Sequence, residues 1–186
     1  MVNQPRSVWK LPKGEDDEVA AEGTGRILAL SDGVFAIALT LLVFGIAVPA
    51  AASDAALPHE LLRLWPRYLA YALSFLVIAR FWVSHHVGFR LVARYDPALV
   101  WLNLLLLLFV AFLPFPTAVL GQHIGSPAAA VLYAASMVLL SGALAGCWWY
   151  ASGRERLLQP GVSPSKIRGV RARTLSGPVI FAATVP

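Results

Sequence analysis

Four long apolar stretches restrict what this chain can fold into more than any other feature of its sequence. They cover about residues 27–48, 67–87, 98–120 and 128–150. Each is long enough to cross a hydrocarbon core of roughly 30 Å, at about 1.5 Å per helical residue. Because lipid offers the backbone no hydrogen-bond partners, stretches of this kind form helices. The sequence therefore predicts an all-α, polytopic bundle of transmembrane helices.

The composition also favours a lipid environment. Of the 186 residues, 58% are hydrophobic and 13% are charged, which is about half the charged fraction of a typical soluble domain. We interpret residues 1–22, which contain a run of acids, as a mobile cytoplasmic tail, and residues 23–186 as one transmembrane domain. A fifth apolar segment, residues 174–186, is too short to span a membrane. The sequence thus predicts four full spans plus the start of a fifth, with a truncated C-terminus.

The basic residues predict how the chain crosses the membrane. Twelve of the fifteen Lys and Arg residues lie before the first span, between the second and third spans, or after the fourth. The opposite loops contain only Arg63 and Arg67. The positive-inside rule then places the N-terminus in the cytoplasm of a multi-pass protein of the plasma membrane. Because the basic residues lie in these loops, the net charge of +5 does not indicate nucleic-acid binding.

Several function classes lack support in the sequence. The single cysteine, Cys147, excludes a disulfide within the chain. His85 and His86 are adjacent, and adjacent side chains on a helix point about 100° apart, so the pair rarely binds one ion together. No zinc-protease motif, nucleophile elbow or phosphate loop is present. We therefore predict no metal site, no cofactor and no enzyme activity.

Asp32 needs an explanation, because it lies about one turn into the first apolar span. An ionisable group at membrane depth costs several kcal/mol unless it is paired or hydrated, which makes it a functional hypothesis. Two interpretations remain open: Asp32 caps or orients the start of the helix, or it takes part in ion or proton passage. Around the helix axis it lies about 140° from Ile37, which shares one stripe with Leu41, Phe44 and Val48.

The polar residues of the other spans are candidate partners for Asp32. If the stripe faces a pore, Asp32 faces the surrounding bundle, where His85, His86 and Asn103 are available. A cluster of such groups would hold helices together in lipid. Arg80 lies inside the second span, and it either extends to the nearer interface or pairs with Asp32. The sequence does not decide between these two roles.

One segment makes the interpretation specific. Residues 26–33, RILALSDG, resemble the Arg-x-x-x-Phe-Ser-Asp motif of the transmembrane protein 175 family of potassium channels, with Leu30 where the family usually has Phe. The segments VFAIALTLLV, YALSFLVIARFWVSHH and WLNLLLLLFVAFLPFPTAVLG are also similar to the prokaryotic members. The resemblance covers about residues 24–150. Arg80 departs from it, because that position is normally small or apolar.

The resemblance implies a subunit of six helices that forms a homotetramer around a central pore lined by the first helix. On this basis the rest of the fifth helix and the sixth are missing from the chain. The resemblance further implies a pore constriction at Ile37, Leu41 and Phe44, and a role in selectivity for Thr40. It also implies a signature motif and inter-helix polar network formed by Arg26, Ser31, Asp32, Gly33, His85, His86 and Asn103.

These expectations define the predicted function. The chain would be a potassium-selective, leak-type channel with a hydrophobic gate, and potassium would be its permeant ion. Two alternatives stay open. One is a small proton-coupled secondary transporter in which Asp32 or the histidines carry protons. The other is a membrane scaffold without transport.

Overall fold

The computed structural model describes residues 13–49, 53–153 and 157–183. The described part of the chain is almost entirely helical, as the sequence predicts. A 3-10 turn, Leu42–Gly45, directly continues the first helix. Within these residues there are seven α-helices, which are α1 Lys13–Leu41, α2 Leu57–Arg63, α3 Trp65–Phe89, α4 Pro97–Phe112, α5 Pro114–Gln122, α6 Pro127–Gly153 and α7 Pro164–Ala183.

Among the described residues, four helical segments are long and apolar enough to cross a membrane: Gly23–Gly45, Trp65–Phe89, Pro97–Gln122 and Pro127–Gly153. They coincide with the four predicted spans, and the all-α transmembrane bundle is confirmed. The third span differs from the prediction in one respect, because it is interrupted between α4 and α5. Pro114 has no N–H for the helical ladder and its ring clashes with the carbonyl one turn earlier. A new helix therefore starts there, with proline in its first turn.

Both ends of the helical part extend beyond the predicted boundaries. Helix α1 begins at Lys13, inside the segment predicted as a mobile tail, while residues 1–12 lie outside the described residues. Acidic residues in a first turn favour a helix start there. Helix α7 begins at Pro164 and continues to Ala183, so residues 174–183 of the predicted fifth apolar segment form its second half, and residues 184–186 lie outside the described residues. Secondary structure therefore does not change at residue 22 or at residue 174.

Two loops join the helices at one end of the bundle. Val92, between α3 and α4, forms an antiparallel bridge with Leu158, between α6 and α7. The Gln159 N–H donates to the Leu91 carbonyl at 2.9 Å, and the Thr24 hydroxyl of α1 donates to the Ala93 carbonyl at 3.3 Å. Because Arg90 and Arg94 flank this bridge, we call this the arginine-rich end. The bridge joins the loop between α3 and α4 to the loop between α6 and α7, so the adjoining ends of these four helices lie at the same end of the bundle.

The core lies between α1, α3, α4 and α6. On α1 and the 3-10 turn that continues it, the buried apolar residues are Phe35, Ala38 and Leu42, each 1% exposed, and their spacing places them on one face. Leu106 of α4 and Met137 of α6 are also buried in this core. Lipid is as apolar as leucine, so close packing and polar contacts hold such helices together rather than the hydrophobic effect.

Candidate functional site

A chain of hydrogen bonds runs through the bundle between α1, α4 and α3. The Ser31 hydroxyl donates to the Ile27 carbonyl at 2.9 Å. The Asn103 Nδ2 donates to Ser31 Oγ at 3.0 Å, and the Asn103 Oδ1 lies 2.9 Å from His85 Nε2. Since the amide oxygen only accepts, His85 Nε2 carries the proton in this arrangement. All three side chains are buried, and we call them the Ser31–Asn103–His85 chain.

Aromatic rings enclose its histidine. The His85 imidazole stacks on Phe89 with ring centroids 4.0 Å apart, and Phe35 of α1 lies 5.6 Å away. Phe35 and Ser31 are one turn apart, so the same face of α1 contributes a ring and a hydroxyl. The packing fixes the ring plane of His85, and the hydrogen bond to Asn103 fixes which nitrogen points towards α1 and α4.

Asp32 lies outside this chain. Its Oδ1 accepts a hydrogen bond from Trp82 Nε1 at 2.8 Å, and within the described residues no hydrogen bond joins it to His85, His86 or Asn103. Asp32 is half-buried at the edge of the α1–α3 contact, because it is about 100° around the helix from Ser31. The His86 ring lies beside the Trp82 indole at 5.6 Å. The predicted cluster is therefore divided into two neighbouring groups.

Sequence reasoning missed Trp82. Its indole N–H is a donor without an acceptor lone pair, so in lipid it requires an oxygen partner. Trp82 precedes His85 by three residues, which places the two on neighbouring positions of one helix face. This spacing was the feature of the sequence that could have indicated a role for Trp82 beside His85. Helix α3 is therefore linked to the Ser31–Asp32 pair in two ways, directly by Trp82, which donates to Asp32, and indirectly by His85, which reaches Ser31 through Asn103 of α4.

Three other predicted residues lie at the surface of the single chain. Arg26 and Gly33 of α1 are exposed, and a side chain at Gly33 would meet open space. Arg80 is exposed as well, and its guanidinium donates to Ser84 Oγ one turn later. Among the described residues Arg80 does not pair with Asp32, which removes that alternative for its role.

The residues predicted to line a pore lie on the outer face of α1 and of the 3-10 turn that continues it, which together we call the outer face of α1. Ile37, Leu41 and Phe44 are 59%, 41% and 80% exposed. They lie opposite the buried face of the same helix. The Thr40 side chain shares this outer face, and its hydroxyl donates to the Ile37 carbonyl at 2.8 Å. Its oxygen lone pairs therefore point away from the helix axis.

A second polar chain crosses the bundle away from the arginine-rich end. The Thr117 hydroxyl donates to Ser74 Oγ at 3.0 Å, and Ser74 Oγ lies 3.1 Å from the Tyr133 hydroxyl. It joins α5, α3 and α6, and the sequence analysis did not anticipate it. Across the part of the chain that the structure describes, no group of three or more His, Cys, Asp or Glu side chains is placed to hold a metal ion.

Comparison with known proteins shows which family this chain belongs to. The family model described as endosomal/lysosomal potassium channel TMEM175 matches residues 26–114. A potassium channel of Streptomyces collinus is 43% identical over 166 residues, which cover 87% of this chain and 81% of that protein. A potassium channel of Chamaesiphon minutus is 41% identical over 163 residues, covering 85% of this chain and 80% of that protein.

A solved structure and a human protein extend the comparison. The crystal structure of a lysosomal potassium-selective channel TMEM175 homolog from Chamaesiphon minutus superposes with a TM-score of 0.76 at 38% identity, over 88% of this chain and 85% of that one. The human endosomal/lysosomal proton channel TMEM175 is 26% identical over 184 residues, and the match spans 36% of its length. These relatives are ion channels, which confirms that the chain is not an enzyme. This multi-pass membrane protein belongs to the TMEM175 family of potassium channels.

Proposed function

We propose that this chain is one subunit of a potassium-selective, leak-type channel whose pore is lined by the outer face of α1. One pore-lining helix per chain cannot enclose a pore, so several copies are required, and four fit the family expectation. The channel lies in the plasma membrane with its N-terminus in the cytoplasm. Residues 23–186 form the channel domain. The permeant potassium ion is the only small ligand in this proposal.

The observation that carries the proposal is the outer face of α1. Ile37 and Phe44 are largely exposed, while Phe35, Ala38 and Leu42 anchor the opposite face. Apolar residues alone would suit a surface in contact with lipid equally well. The hydroxyl of Thr40 on the same face favours a pore, because a polar oxygen gains more from ions and water than from acyl chains.

The proposed selectivity comes from the cost of dehydration. A narrow apolar ring of Ile37 side chains excludes water until it is wetted, and a cation that passes it sheds part of its hydration shell. Potassium holds its water less tightly than sodium and meets the smaller barrier. Because the Thr40 proton is directed to the Ile37 carbonyl, the Thr40 oxygens are free to replace part of the lost water.

Flux measurements in liposomes test this proposal. We expect the purified protein to pass potassium faster than sodium under matched gradients. Ile37→Asn should raise potassium flux roughly tenfold, because a polar ring wets the constriction and each tenfold corresponds to about 1.4 kcal/mol of barrier. Leu76→Asn is the matched control, since Leu76 is 65% exposed on α3 rather than on α1, and it should leave the flux unchanged.

The same liposomes distinguish the other interpretations. A pH-sensitive dye inside them reports proton movement, which is relevant because the human relative is named a proton channel. Potassium flux that requires a proton gradient would indicate a coupled transporter and would contradict a leak-type channel. A folded protein that passes neither ion would indicate a scaffold. Equal responses of Ile37→Asn and Leu76→Asn would remove Ile37 from the constriction.

A further inference from the structure

The 3-10 turn that continues α1 aligns two columns of residues at the end of the first span. In a 3-10 turn three residues complete one turn, so residues three apart lie directly above each other. Leu41 and Phe44 therefore share one direction, and they are 41% and 80% exposed. Leu42 and Gly45 share another direction, and both line a small space beside Ala118 of α5. The turn thus links the direction of Phe44 to the contact that Gly45 makes.

Gly45 allows this turn to lie directly against α5. A Cβ atom at position 45 would lie 3.2 Å from the Ala118 Cβ and 3.4 Å from the Ala118 Cα. The first of these distances is shorter than the optimum of about 3.5–4.0 Å between carbon atoms. Gly45 does not have a positive φ, so the close approach of the two backbones, rather than an unusual backbone conformation, requires glycine here.

Helix α5 is held in place by contacts that do not involve α1. Thr117, which precedes Ala118, donates from its hydroxyl to Ser74 Oγ of α3 at 3.0 Å. Ser74 Oγ in turn lies 3.1 Å from the Tyr133 hydroxyl of α6. Because lipid offers these hydroxyls no partners, the hydrogen bonds hold α5 against the two spans. The position of Ala118 is therefore set by the bundle rather than by the helix that packs on it.

The turn that carries Phe44 is the last one of the first span. The Ile46 N–H donates to the Val43 carbonyl at 3.0 Å and closes the turn, and the backbone of Ile46 is already extended. Helix ends fray, and their last turn is often of the 3-10 type. The buried Leu42 and the contact of Gly45 with α5 therefore hold this turn in its direction.

We propose that Gly45 is a positioning residue for the constriction at Phe44 and acts through its contact with Ala118 of α5. This inference rests on the proposed function, in which Phe44 lines the pore. Gly45 and Phe44 point about 120° apart on a 3-10 turn. A turn that is pushed away from α5 therefore moves Phe44 partly along the direction in which its ring points, which is into the pore. A larger residue at position 45 narrows the pore at that end.

Potassium flux in liposomes that contain the full chain tests this role. Gly45→Ala should lower the flux roughly threefold, because the added methyl displaces the turn and narrows the pore at Phe44. Combining it with Ala118→Gly should restore the flux, since the nearest atom to the new Cβ is then the Cα of residue 118 at 3.4 Å. Gly142→Ala of α6 is the matched control, because a Cβ there meets no atom within 4 Å outside its own helix backbone. It should keep the wild-type flux.

A second comparison separates positioning of Phe44 from packing alone. In a Phe44→Ala background no ring is left to be positioned, so Gly45→Ala should not lower the flux of that background. An equal fall there would show that Gly45 acts independently of Phe44 and would overturn the proposal. Wild-type flux in Gly45→Ala, or a loss that Ala118→Gly does not restore, would overturn it as well.

Failure of the proposed function gives a different result. If the wild type passes no potassium, or if Phe44→Ala does not raise the flux, the constriction at Phe44 is overturned together with its positioning. If both behave as expected and only Gly45→Ala has no effect, the positioning role alone is overturned. Circular dichroism confirms folding. Should Gly45→Ala not fold, Ala118→Val adds bulk to the same contact from α5 and should lower the flux, and wild-type flux in that variant would overturn the proposal.

Discussion

The inner and outer faces of α1 differ in which side chains they contain and in whether those side chains are buried. The inner face buries a serine in a hydrogen-bonded chain with Asn103 and His85, whereas the outer face exposes Ile37, Leu41 and Phe44. A water-soluble protein would not leave three large apolar side chains exposed together on one helix face. Every oxygen and nitrogen that joins α1 to the bundle needs a partner within the chain, because lipid supplies none. The outer face needs no such partner, and its environment is set by what lies outside the chain.

This difference separates stability from function. Substitutions on the inner face should change how firmly α1 is held, and substitutions on the outer face should change what passes along it. A substitution that does both would show that the two faces are coupled through the helix. The following experiments test this separation, from the largest expected effect to the smallest.

Asn103→Leu should cause the largest loss of stability. It removes the acceptor of His85 Nε2 and the donor to Ser31 Oγ, and a buried group left unpaired costs about 1–3 kcal/mol. We expect a loss of about 2 kcal/mol in unfolding by dodecyl sulfate in micelles. Leu108→Ala, on the exposed side of α4, should stay within about 0.5 kcal/mol. A loss that small for Asn103→Leu would contradict the role of the chain.

A double-mutant cycle sharpens this result. His85→Phe keeps a ring in the aromatic surroundings but removes the nitrogen that Asn103 accepts from. With both changes neither partner is left unpaired, so the double variant should lose less than the sum of the two single losses. Additive losses would show that His85 and Asn103 act independently.

Trp82→Phe, at the edge of the inner face, should cause a smaller loss of stability than Asn103→Leu. It removes the N–H that donates to Asp32 and keeps most of the ring. Because Asp32 is half-buried and reachable by water, we expect a loss of about 1 kcal/mol in the same unfolding assay. Trp101→Phe, at a 72% exposed tryptophan, serves as the control. An unchanged stability would show that water replaces the indole at no cost.

Thr40→Ala should have the smallest energetic effect and leave stability unchanged. It removes the outward-facing oxygen, so potassium loses part of its replacement for water and the ratio of potassium to sodium flux should fall a few-fold, about 1 kcal/mol or less. Thr40→Ser keeps the oxygen and should retain the ratio. If Thr40→Ser lost selectivity as fully as Thr40→Ala, the hydroxyl would have no part in it.

The helical spans were predictable because each is a continuous apolar run, and such runs have one structural solution in lipid. The interruption at Pro114 was visible in the sequence as two prolines, but whether the chain kinks or starts a new helix depends on packing. The helical backbone of residues 13–22 was not predicted, because an acidic polar segment without apolar periodicity is typical of both a loop and a helix start.

The sequence was sufficient to predict which residues belong to the candidate site, but not which of them form hydrogen bonds with each other. Ser31, His85 and Asn103 were selected as polar groups within apolar spans, and the structure places them in one hydrogen-bonded chain. Asp32 was assigned to the same group, yet its partner is Trp82, since one residue along a helix changes the direction of a side chain by about 100°. The roles of Ile37, Thr40, Leu41 and Phe44 remain predictions, because a single chain does not contain the surface that faces them.

Thiol accessibility at Ile37 tests the central claim most directly. In a Cys147→Ser background, Ile37→Cys is reconstituted in liposomes, and a small cationic thiol reagent is added while potassium flux is recorded. If the outer face of α1 lines the pore, the reagent should abolish most of the flux of Ile37→Cys and leave that of Leu76→Cys on α3 unchanged. Flux that persists in Ile37→Cys after complete modification, or an equal block of Leu76→Cys, would contradict a pore lined by this face.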